Sequence, residues 1–310
     1  MVVGAAFGPA GPPLAAALAS SRASKTSAPQ EDLSLATALL GQPSLPPSLA
    51  SAALTGLVAC IGGLDAPLSR AAGRALVAGG LSTSTPALLV DTFTAAWSAT
   101  AADPRLATPW LRAADALLAG LAPEEAEAAL SGCGGGGSGG GGATATQRGA
   151  ALLASTLAAC RGCRDPPRLG AAAAVLCHLA GLARPEVASV ARGALAGATA
   201  LLGHPSYPTV RRAAAEALCV RLVLGVPAAA VAAADLDAAA DLVAGTAWDG
   251  PLDDARAGRR GVCEALGVEV PKAEAAASKE NEGAAAAGAP VPAKPAGYQA
   301  LVDAMERGTA

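Results

Sequence analysis

Aromatic side chains are almost missing from this chain: of 310 residues, three are Trp, two Tyr and two Phe. Without large rings the interior must be filled by Ala, Leu and Val, which suits closely approaching helices better than the thick layers of a sheet. A strong charge of one sign is lacking too. The formal net charge is -3 and Lys and Arg are scattered among acids, so no basic stripe exists to follow a phosphate backbone, and no nucleic-acid partner is expected. Cysteine, at seven, is odd in number and has no disulfide-rich spacing, which reads as reduced thiols in a cytosolic protein. No clean membrane span is present either. Residues 33–64 carry no charge, but Pro43, Pro46 and Pro47 interrupt them, and the remainder is short and rich in Ser, Gly and Thr.

The usual signatures of chemistry are equally scarce. A phosphate-binding loop needs a Lys after its second Gly, and the chain has no Gly-Lys dipeptide; no H-E-x-x-H occurs. Ser138 satisfies G-x-S-x-G only inside a polyglycine tract, where a strand-turn-helix elbow cannot be built. Asp253 and Asp254 are adjacent at the start of a helical run, where they complement the helix dipole rather than act as an acid/base pair. Cys160 and Cys163 in "CRGC", followed by Cys177 and His178, have the residue types for a zinc site. The pair ends an apolar helical run, "ALLASTLAAC", instead of sitting in a knuckle turn. It is therefore read as buried or end-of-helix thiols, with no metal and no cofactor expected. His178 is read as a core or groove residue and His204, beside Pro205, as a cap on the end of the preceding helix.

What the chain does have is alanine, the best helix former because it loses no side-chain entropy on ordering. The expected class is all-α. Residues 1–31 contain Arg22 and Lys25 among Ser, Ala, Gly and Pro, and read as a disordered leader with a loose likeness to a transit peptide. A helical block is expected over 32–130 and a second over 147–268, separated by a flexible Gly-rich linker at 131–146 containing "SGCGGGGSGGGGA". Residues 269–310 read as a disordered tail with one short helix, where Tyr298, Leu301, Val302 and Met305 share a face.

Within the blocks the pattern is helix, break, helix. Pro185 opens a run in which Val187, Val190, Ala191, Ala194, Ala198, Leu201 and Leu202 form one apolar stripe that stops at Gly203. After "HPSYP" a second run places Val210, Ala214, Ala217 and Leu218 on one side and leaves Arg211, Arg212 and Glu216 for water. Internal echoes follow. "LSRAAGRAL" at 68–76 and "VRRAAAEAL" at 210–218 match at the arginine, the paired alanines and the closing Ala-Leu, and "LRAADAL" at 111–117 repeats them more loosely. Helix pairs of this kind cannot bury their own stripes and must stack, so the expected architecture is a right-handed α-α superhelix, a solenoid of HEAT or armadillo type. In such a stack Trp248 and Asp249, in the connection "TAWDG", form a structural cap. An indole folded over an open end shields about 150–250 Å², worth a few kcal/mol at roughly 25 cal/mol per Å².

"DLVAGTAWDGPLDDARAGRRGVCEALGV" resembles the C-terminal end of the tubulin-folding cofactor D family. "HPSYPTVRRAAAEAL" is similar to the H-P-x-x-P-x-[VI]-R-[KR] segment of that family, and "CIGGLDAPLSRAAGRAL" to its G-G-L repeat. The likeness runs with gaps from about residue 54 to 268, and so concerns only the C-terminal part of a much longer chaperone. It implies a non-enzymatic function in α/β-tubulin heterodimer assembly, with β-tubulin, cofactors C and E and a small Arf-like GTPase as partners. GTPase activation is implied only within the multi-cofactor complex. Cytoplasmic localisation, with association to microtubules, centrosomes or basal bodies, goes with it. Candidate contacts to such acidic partners are Arg211, Arg212, Arg259 and Arg260. The alternative is a generic HEAT or armadillo scaffold with a different cargo, of the phosphatase-scaffold or transport-receptor sort.

Overall fold

The computed structural model describes residues 47–270, apart from 63–65, 83–85, 102, 132–144, 228–229 and 232–234. The expected leader, most of the Gly-rich linker and the tail with its terminal helix lie outside the described residues. Within them the regular structure is entirely helical. Proline opens helix after helix: α1 (Pro47–Ile61), α3 (Pro86–Thr100), α4 (Pro104–Gly120), α5 (Pro123–Ser131), α7 (Pro166–Ala180) and α9 (Pro208–Leu224). Its fixed φ suits the first turn, and the N–H it lacks has no intrahelical acceptor there. The remaining helices are α2 (Ala66–Ser82), α6 (Ala145–Cys160), α8 (Ala188–Leu202), α10 (Leu236–Gly245) and α11 (Leu252–Ala265). The run expected from Pro185 divides into a 3₁₀ turn, Pro185–Val187, and α8, which stops at Gly203 as the pattern predicts.

The helices pack in two rows. α2, α4, α7 and α9 each pack on the next, and α10 continues the row against α9. α1, α3, α6, α8 and α11 form the second row in the same manner. Alanine makes the seams: Ala172, Ala173, Ala191, Ala194, Ala198 and Ala214 are completely buried. Their methyls let neighbouring backbones come close, which compensates in contact density for the missing large side chains. The exception lies between α3 and α4, where Phe93 meets Trp110 edge-on at 4.9 Å and Trp97 stacks on Trp110 at 6.2 Å. The Trp110 indole N–H donates to Thr100 Oγ1 at 2.8 Å, so burying the ring leaves no donor unpaired.

The two helical blocks share one core. α3 and α5 pack on α6, and α4 packs on α7, across the Gly-rich tract. Polar contacts cross it as well: the Arg148 guanidinium on α6 grips Asp91 of α3, with Nη2 to Oδ2 at 2.8 Å, and the Ala183 amide donates to Glu127 of α5 at 2.6 Å. Among the described residues no helix is long and apolar enough to cross a membrane.

Candidate interaction surface

The most heavily bonded charged side chain near the C-terminal end is Arg211, at the start of α9. Its Nε donates to the Trp248 carbonyl at 2.8 Å, its Nη2 to the Gly250 carbonyl at 2.8 Å and its Nη1 to the His204 carbonyl at 3.1 Å. Three backbone acceptors from two loops are thus satisfied by one planar cation. Trp248, 6% exposed, donates its indole N–H to the Val243 carbonyl at 2.8 Å and so caps the end of α10. The Arg211 guanidinium therefore ties the α10–α11 pair to α9. α11 ends in a Schellman turn, with the Val268 N–H on the Cys263 carbonyl at 2.8 Å and Gly267 at φ 64°, a conformation that favours glycine.

The four arginines expected to meet a partner separate into two kinds. Arg211 and Arg259 are each 2% exposed, which corrects the expectation that they face water. Register explains it. Arg211 shares the stripe of Ala215, Leu218 and Leu222, and Arg259 that of Ala255, Val262 and Leu266, so both point into the packing seams. Arg212 and Arg260 are exposed. Arg212 is already engaged: Nε meets Glu216 at 2.9 Å and Nη1 meets Asp249 at 3.4 Å, and these carboxylates, Glu216 first, hold its pKa above the usual value.

Beyond Arg212 the outer face of α9 becomes apolar. Val220, Val223 and Leu224 are 60, 77 and 70% exposed, and they continue the line of Arg212 and Glu216 at helical spacing. Beside this face lies a hollow of about 360 Å³ between α9 and the 246–249 connection, lined by Ala215, Cys219, Val243, Ala244 and Trp248, with Arg212, Glu216 and Asp249 around it. An exposed aliphatic ridge next to a charged hollow is a surface that a protein partner can cover. The sequence reading missed the ridge, although "CVRLVL" offers the signal: an aliphatic run too wide for a single buried stripe.

The thiols and histidines resolve separately. Burial pushes the Cys160 thiol up to about 11 and the Cys177 thiol up to about 12, so both hold their protons near neutrality. His178 is half-buried on α7, with Nε2 3.1 Å from Asp115 Oδ1 of α4. Among the described residues no three His, Cys, Asp or Glu side chains converge to hold a metal ion. His204 meets the end of α8 through its backbone N–H on the Leu201 carbonyl at 3.2 Å, while its Nδ1 faces the amides of Ser206 and Tyr207 at 3.4 and 3.3 Å, which lead into α9, and its ring stacks on Tyr207 at 5.1 Å. The ring therefore supports the start of the following helix. Desolvation, then the Arg211 charge, lowers its pKa. Asp253 and Asp254 occupy the first turn of α11, where Asp253 pairs with Arg256 at 3.5 Å. Comparison of the chain with protein-family models, with curated proteins and with solved structures gave no match.

Proposed function

We propose that the chain is an α-solenoid of HEAT/armadillo type, a tubulin-folding cofactor D-like segment that works by binding and carries no chemistry of its own. Its partners in this reading are β-tubulin, cofactors C and E and a small Arf-like GTPase, in α/β-tubulin heterodimer assembly. GTPase activation belongs to the multi-cofactor complex, and the setting is the cytoplasm and microtubule-associated structures. Three observations support the architecture: two rows of helices stacked side by side, starts of α7 and α9 42 residues apart, and starts of α6 and α8 43 apart. Stacked pairs of about 40–47 residues are the HEAT and armadillo unit.

The observation that carries the functional reading is the Arg211 node. "HPSYPTVRR" and "TAWDG", separated in sequence and each bearing part of the family resemblance, are bonded to one another through the Arg211 guanidinium. A likeness that falls on residues sharing one tertiary bond set is more informative than scattered identities, because the residues work as a unit. The partner surface in this reading is the face of α9 from Arg212 to Leu224, with Arg260 on α11.

Purified chain, immobilised and offered β-tubulin, cofactor C, cofactor E and the GTPase singly, tests it. Retention of tubulin or a cofactor is expected, reduced at least tenfold by Val223→Asp with Leu224→Asp. Binding to none of the four, by a chain that is strongly helical in circular dichroism, leaves the generic scaffold with another cargo as the better reading.

A further inference from the structure

The outer faces of α2 and α4 enclose a second depression, larger than the one beside Trp248, with a volume of about 600 Å³. Gly73 and Val77 from α2, with Ala116 and Gly120 from α4, form its floor, and Arg70, Arg74 and Arg112 stand around it. The three arginines are exposed, and none of the described residues lining the groove is acidic. The one carboxylate on this stretch of α4, Asp115, is turned to His178 of α7 at 3.1 Å.

The internal repeat explains why the charges gather here. Arg70 and Arg212 occupy the same place in "LSRAAGRAL" and "VRRAAAEAL", and Arg112 opens the looser copy. All three point outward along one row of helices. At α9 the charge of Arg212 is met by Glu216 and Asp249. At α2 and α4 two copies of the motif lie side by side, Arg74 adds a third guanidinium one turn on, and among the described residues no acid lines the groove beside Arg74 and Arg112. The floor stays low because its residues are small and because Gly120 admits Val77: a Cβ at Gly120 would lie 2.5 Å from Val77 Cγ2.

We propose that this groove docks an acidic amphipathic helix from a partner protein. The apolar stripe of that helix rests on Val77, Ala116 and the two glycines, and its carboxylates, spaced at one turn, meet Arg74 and Arg112. Forked guanidinium donors match carboxylates in this arrangement. A helix laid in an apolar groove between charged rims is a general mode of peptide recognition. Inorganic phosphate or a nucleic-acid backbone would engage the arginines but leave the apolar floor wet. A bilayer needs apolar groups that protrude, whereas here they lie below the charges. The site is on α2 and α4, apart from the α9–α11 surface, so it stands or falls independently of tubulin binding there.

The test uses the full chain and three labelled helical peptides of equal length, read by fluorescence anisotropy. One has a Leu/Phe stripe flanked by Glu, one has Gln for Glu, and one has Ala for Leu/Phe. The first is expected to bind at least tenfold more tightly than either counterpart, and to lose tenfold or more on Arg74→Glu with Arg112→Glu and, separately, on Ala116→Leu. Thermal melts confirm that both variants fold; should Ala116→Leu unfold the chain, Ala119→Leu at the exposed edge replaces it. Affinities within twofold for all three peptides, or unchanged binding to the charge-reversed variant, overturn the proposal. So does cosedimentation of the chain with phosphatidylserine vesicles that the first peptide cannot displace and the same charge reversal abolishes, which assigns the groove to lipid.

Discussion

One guanidinium, that of Arg211, holds three carbonyls, that of Trp248 buried and those of His204 and Gly250 partly so. Leaving buried acceptors unpaired is costly, so Arg211→Ala is expected to destabilise the chain by about 3 kcal/mol. Arg211→Lys is expected to recover less than half of that, because an ammonium cannot reproduce the planar fork. Urea midpoints with an unchanged slope check both. His204 gives a pH signature. Its folded-state pKa lies below the unfolded value, so the unfolded chain takes up the proton first. Above the unfolded pKa of about 6.5 the residue contributes no pH dependence, and stability falls as pH drops from there through the folded value. Wild type is expected to lose more stability than His204→Gln between pH 7.5 and 5; parallel losses would remove His204 as the cause. Trp248→Phe keeps most of the apolar area but loses the donor to Val243, an expected cost of about 1 kcal/mol in the same measurement.

At the scale of elements, the glycines inside helices separate packing from propensity. Gly56 on α1 has open space where a Cβ would go, so Gly56→Ala is expected to stabilise by about 0.5–1 kcal/mol through helix propensity alone. Gly120 on α4 has the same propensity to gain, but a methyl there meets both γ-carbons of Val77, a β-branched side chain with little rotameric freedom. Gly120→Ala is expected to cost about 1–3 kcal/mol, and Val77→Ala in the same chain to relieve part of it. Thermal melts of the three variants decide the matter, and a stabilising Gly120→Ala would mean that α2 and α4 are looser than they stand. The same reasoning explains which stripes were legible. α8 is apolar at Val190, Ala191, Ala194, Leu195, Ala198, Leu201 and Leu202, and its inner face follows from periodicity. α9 and α11 each carry an arginine on the buried stripe, and a reading that assigns every arginine to water places those two on the wrong side.

Across the whole molecule, the contacts of α3 and α5 with α6 and of α4 with α7 hold together what the Gly-rich tract separates in sequence. Cutting the chain at a protease site inserted within 132–144 is therefore expected to leave two fragments that co-elute on gel filtration, with the helical circular dichroism of the intact chain. Separation of the fragments would show that the shared core is weaker than its buried leucines suggest.

The all-helical class was written in the composition. Alanine favours the helix at each position, proline marks the starts, glycine marks the stops at Gly203 and Gly267, and none of these signals needs a distant neighbour. Which arginine is structural and which faces solvent was decided only by folding, since Arg211 and Arg212 are adjacent and chemically identical. They differ only in that 100° of helix rotation turns one toward the carbonyls of Trp248 and Gly250 and the other toward Glu216 and solvent. The groove of Arg70, Arg74 and Arg112 likewise depends on α2 lying beside α4, a pairing across more than thirty residues that local propensity cannot specify.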